Sequence, residues 1–137
     1  MHTKDRESVR DNDRQRFLAE ASHLLSSTLH FTETLRRLTQ LAVPRVADWC
    51  AIYIADHEGV LRMVEIAHVD PAKIQLALEM RRQFPTRPSD GHGEYQVLRT
   101  GRSEYYREIT EDMLTGTELD PQQLFMLREL GFCSVMI

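Results

Sequence analysis

Cysteine is scarce in this chain: Cys50 and Cys133 are the only two in 137 residues, far apart and each inside an apolar run. A secreted domain stapled by disulfides carries them more densely, so the expected compartment is a reducing cytoplasm. The two thiols read as buried and inert, with a reactive or cofactor-linked thiol as the alternative. Long apolar runs are missing too. Nothing approaches the ~20 residues that a bilayer-spanning helix requires, and residues 1–16 are too charged for a secretory leader, so no membrane contact is expected. Basic residues number 17 against 21 acidic ones, a net charge of −4, which disfavours a nucleic-acid partner.

Chemical signatures are equally thin. The sequence holds no glycine-rich phosphate loop, nucleophile elbow or kinase signature, so no catalytic residue is assigned. His2, His23, His30 and His57 lack metal-ligand spacing, and no cysteine pair is close enough for a zinc knuckle; no metal site is expected. Glu108, Glu111, Asp112, Glu118 and Asp120 read as a solvated acidic face rather than a cation site. Internal repeats and low-complexity segments are absent.

What remains is a clear succession of elements. The length suits one domain, divided here into a charged segment or linker helix over 1–16 and a folded domain over 17–137. Phe17, Leu18, Ala21, Leu24, Leu25 and Leu29 recur at helical spacing, a stripe that either packs on the domain or forms a dimer seam. A second helix carries Leu35, Leu38, Leu41 and Ala42 and is stopped by Pro44. From Trp49 to Ala55 both alternating faces are apolar, which predicts a central strand covered on both sides. Asp56–Gly59 reads as a hairpin loop into a returning strand over 60–69.

Asp70-Pro71 and Asp120-Pro121 each open a helix with a capping carboxylate and a proline at the first helical position. Between these helices, Thr86–Gly93 has no periodicity and reads as a mobile loop over one sheet face. Glu94–Thr100 is a short helix ended by Gly101, Ser103–Ile109 a short strand, Thr110–Leu114 a helical turn, and Phe132–Ile137 a closing strand.

This order, with the phrases Leu35-Arg36-Arg37-Leu38, Val43-Pro44-Arg45-Val46-Ala47-Asp48-Trp49-Cys50, Ala67-His68-Val69-Asp70-Pro71, Val97-Leu98-Arg99-Thr100-Gly101 and Leu130-Gly131-Phe132-Cys133-Ser134, resembles a GAF domain. The likeness is to the ligand-sensing modules of bacterial sensor histidine kinases and related signalling phosphatases, and runs from about Phe17 to Ile137. It implies an α/β (α+β) fold, an antiparallel sheet with helices on both faces. It also implies that the C-terminal strands of that sheet are missing here, so that a fragment of a longer protein, or a strand from another copy, is expected. Because the missing strand would separate them, the resemblance argues against a Cys50–Cys133 bridge.

The same resemblance implies a pocket walled by Ile52, Ile54, His68, Leu78, Phe84, Tyr105 and Cys133, with His92 on the loop able to touch a ligand. Such an enclosed apolar cavity suits a small molecule; a dry core made of the same side chains is the alternative. His68 reads as a structural residue bonding a loop, or as a haem ligand or pH-sensitive donor. The implied function is regulatory: a small ligand or partner binds, and the change reaches an output domain through the terminal helices, in a homodimer. The cofactor, if any, is not implied. Two other readings stay open, a ligand-free dimerisation module and a thiol redox enzyme of the free methionine sulfoxide reductase type, which would need Cys50 or Cys133.

Overall fold

The computed structural model describes residues 2–27 and 30–137, with side chains from residue 9 onward apart from that of Ser27. The fold is α+β, with small antiparallel sheets among six helices in the described residues. The elements are α1 (His2–Ser27), α2 (Phe31–Ala42), β1 (Trp49–Ala55), β2 (Leu61–His68), α3 (Pro71–Gln83), α4 (Glu94–Thr100), β3 (Tyr105–Tyr106), α5 (Glu111–Thr115), α6 (Pro121–Leu130) and β4 (Val135–Met136). They are distributed over two compact units, Met1–Ile54 with Arg62–Val69, and Ala55–Leu61 with Asp70–Ile137.

In the first unit α1 packs on α2. Residues 2–16 are part of the same helix as the stripe that follows them. Ala21 of α1 and Leu35 and Ala42 of α2 are buried, as their spacing predicts; Leu29 lies outside the described residues. Two buried threonines share that face, and each donates its hydroxyl back along α2: Thr34 to the carbonyl of His30 at 3.1 Å, Thr39 to that of Arg36 at 2.8 Å. This satisfies a polar group that would otherwise cost stability in the interior. Arg45, beyond the end of α2, pairs with Glu20 of α1 at 2.7 Å.

β1 and β2 form a two-stranded sheet. The turn between them is closed by bonds from the Asp56 amide to the carbonyl of Val60 (3.0 Å) and from the Gly59 amide to that of Asp56 (3.0 Å). Gly59 sits at φ +78°, where a side chain is strained. Here the structure corrects the expectation of a fully covered central strand. β1 has one strand neighbour among the described residues; Ala51 is exposed and its other residues are half-buried, none completely. Apolarity on both faces marks a strand but does not supply the layers to cover it.

In the second unit α3 packs on α6, around Ala77, Met126 and Leu130. Both helices start as their sequences predict: Asp70 accepts from the Ala72 amide at 2.9 Å and Asp120 from the Gln122 amide at 2.8 Å. Lys73 of α3 donates from Nζ to the carbonyl of Leu130 at 3.3 Å, meeting one of the orphan acceptors that end α6. Gly131 then leaves that helix at φ +69°.

The segments 103–109 and 132–137 run antiparallel, yet form strands of only two residues each. Tyr105 pairs with Met136 and Tyr106 with Val135. Glu104 and Ile137 exchange two 2.9 Å backbone bonds, and the Ile109 amide reaches the carbonyl of Cys133 at 2.7 Å. That last bond is one residue out of register with the others, and the slip ends the ladder. Cys133 therefore lies outside β4, and it is exposed, not buried as expected.

Candidate functional site

The residues singled out by resemblance divide between the two units. Ile52, Ile54 and His68 belong to the first and are half-buried on β1 and β2. His68 closes β2 with its ring against Trp49, centroids 4.2 Å apart and planes tilted by 40°. Trp49 was not among the expected wall residues. Its proximity was nonetheless countable, since from the Asp56–Val60 bond it is seven residues back to Trp49 and eight forward to His68. Cys50, also on β1, is half-buried, and burial pushes its thiol up from the ordinary range, away from the reactive thiolate.

Leu78, Phe84, His92, Tyr105 and Cys133 belong to the second unit. Of these only Phe84 is half-buried. Leu78 is 38% exposed and Tyr105 68% exposed, and His92 and Cys133 also face solvent. The enclosed wall expected of Leu78, Tyr105 and Cys133 is therefore corrected to an open surface in this structure, while His92 is exposed on its loop. The physical reason for Tyr105 and Cys133 is length: β3 and β4 pair over two residues only, and Cys133 falls outside that pairing.

The same unit contains an ordered constellation that the sequence did not announce. The loop Thr86–Gly93, expected to be mobile, is tied down along its course. The Arg87 amide donates to Oδ2 of Asp90 at 2.8 Å, and the Asp90 amide to the carbonyl of Arg87 at 3.0 Å. Arg99, in the last turn of α4, donates to the carbonyls of Pro88 and Asp90 and, at 2.7 Å, to Oε1 of Gln96. At the far end the Gly93 amide donates to Oε2 of Glu104 at 2.8 Å, and the Tyr106 hydroxyl donates to the same oxygen at 2.9 Å.

These contacts set the charge of the cluster. The Gly93 amide, then the Tyr106 hydroxyl, then the nearby His92 hold the Glu104 carboxyl below the usual glutamate range. The carboxylate in turn pushes the Tyr106 phenol up. One residue along, Glu94 pairs with Arg81, joining the first turn of α4 to α3. Tyr95 is buried, and its hydroxyl accepts from the Leu61 amide at 3.2 Å, fixing α4 to the backbone just after the hairpin turn.

Among the described residues no group of three or more His, Cys, Asp or Glu side chains is arranged to hold a metal ion. No described helix is long and apolar enough to cross a membrane. Compared with protein-family models, with curated proteins and with solved structures, the chain matches none.

Proposed function

We propose that this chain is a cytoplasmic regulatory module of the GAF type, from a bacterial signalling protein such as a sensor histidine kinase. It is read as non-catalytic in itself. A small ligand or partner would favour one arrangement of the segments beside the sheets, and that bias would pass through the terminal helices to an output domain. The observation that supports the reading is the order of elements: two helices, a hairpin, a helix, a tied loop and short helix, then strand, helices and strand. The quoted phrases fall at the corners of that order, with Val43-Pro44 between α2 and β1, and Asp70-Pro71 opening α3.

Native mass spectrometry and an absorption spectrum of the purified protein, followed by thermal melts against a panel of nucleotides, amino acids and chromophores, test this reading. A ligand present at a hundred times its Kd stabilises the folded state by about 2.7 kcal/mol, enough for a visible rise in Tm. No retained mass and no shift across the panel would abandon ligand sensing.

A ligand-free dimerisation module is favoured by a different observation. Leu18 and Leu25 lie one heptad apart on α1 and are 62% and 58% exposed, beside the face that packs on α2. Light scattering coupled to size exclusion separates the readings. A dimer that becomes a monomer in Leu18→Glu/Leu25→Glu, with no ligand found, favours the second.

A further inference from the structure

The ties on loop 86–93 are of two chemically different kinds. At its middle the loop is held by Arg99, a cation at every accessible pH, bonded to two backbone carbonyls. At its end it is held by Glu104, a titratable acceptor that takes both the Gly93 amide and the Tyr106 hydroxyl on one oxygen. Between the end tie and α4 lies Gly93 itself, at φ +79° and ψ −158°. That backbone region is essentially restricted to glycine, so the chain bends there in a conformation the end tie helps to hold. The Gly93 carbonyl accepts from the Val97 amide at 3.1 Å, so the α4 side of this bend is held by the helix while the loop side depends on the Glu104 bond.

We propose that residues 86–93 form a strap with a permanent fastening at Arg99 and a releasable one at Glu104, the released end swinging about Gly93. The groups acting on the fastening are His92 on the loop and Tyr106 on β3. The segment 135–137, whose Ile137 exchanges backbone bonds with Glu104, contributes the apolar Val135, Met136 and Ile137. Protonation of Glu104, or capture of its carboxylate by a competing donor, takes away the charge that strengthens the bonds from the Gly93 amide and the Tyr106 hydroxyl. The Glu104 carboxyl lies below its ordinary range in the fastened state, so fastening is complete above that range and is lost as pH falls through the lowered value. The strap stands whether or not the chain senses a ligand.

Amide hydrogen exchange followed residue by residue by NMR tests it. In the wild-type protein the Gly93 amide is protected at neutral pH, and the protection falls in acid while α3 and α6 amides stay protected. Glu104→Ala speeds exchange at Gly93 by about tenfold, the scale of one charge-assisted bond. Glu104→Gln keeps an acceptor and removes the acid dependence. Arg99→Ala loosens the Asp90 amide and leaves Gly93 protected. Equal exchange at Gly93 in wild type and Glu104→Ala would overturn the proposal. So would loss of protection at Gly93 only together with α3 and α6, or equal release of Gly93 by Arg99→Ala.

Discussion

The indole of Trp49 and the imidazole of His68 lie 4.2 Å apart, centroid to centroid, so the single tryptophan of the chain reports directly on the hairpin that carries it. Tilted aromatic pairs at this spacing contribute about 0.5–1.5 kcal/mol beyond their burial. His68→Ala is expected to lower stability by about 1 kcal/mol, read as an earlier midpoint in a urea titration followed by Trp49 emission. An unchanged midpoint would mean that the ring contact contributes nothing. A His68 variant that instead loses a bound ligand, at unchanged stability, would return this histidine to the sensing role the resemblance implies.

Leu130 is completely buried at the end of α6. Truncating a leucine in such a setting removes its transfer free energy and leaves a cavity, at a cost of about 2–5 kcal/mol. Leu130→Ala should therefore be among the most damaging single changes in the second unit, lowering the thermal midpoint seen by circular dichroism. A loss under 1 kcal/mol would place the core of that unit elsewhere.

Asp70 and Asp120 cap the two helices that pack on each other. Each change to alanine is expected to cost about 1 kcal/mol, and each change to asparagine much less, because the amide oxygen still accepts from the backbone. Equal losses from alanine and asparagine in denaturant unfolding would show that the charge matters and the cap does not.

Glu79 gives the pH prediction. Its carboxyl is lowered to about 2, first by Arg82, which donates at 2.9 and 2.6 Å, and then by Gln83. A carboxylate favoured in the folded state stabilises it above the ordinary glutamate range, and that contribution fades as pH drops towards about 2. The pair is on the surface, so salt should weaken it. An NMR titration of the Glu79 side chain should show a midpoint well below the ordinary glutamate range, moving upward in Arg82→Ala. A midpoint insensitive to Arg82 would remove the pair from the account.

Much of the fold was legible because its punctuation is local. Asp-Pro openings, the Gly101 and Gly131 exits, the Pro44 stop and the Gly59 turn each depend on a few neighbouring residues, and each falls where it was read. The strand lengths were not legible. A six-residue apolar stretch such as Phe132–Ile137 promises a strand, but the one-residue slip between the Glu104–Ile137 and Ile109–Cys133 bonds is decided by the partner segment. The loop ties were hidden for a related reason. Glu104 reaches Gly93 across eleven residues and Arg99 reaches Pro88 across another eleven, in both cases from side chain to backbone. A periodicity argument sees neither bond, and so predicts mobility where the chain is tethered.

The unequal settings of the two thiols make the protein its own labelling system. Cys133 is open to solvent while Cys50 is half-buried with a disfavoured thiolate. A maleimide dye should modify the first within minutes under native conditions and reach the second slowly. Mass spectra taken over time would then clock how often the β1 ribbon breathes, with no engineered residue at all.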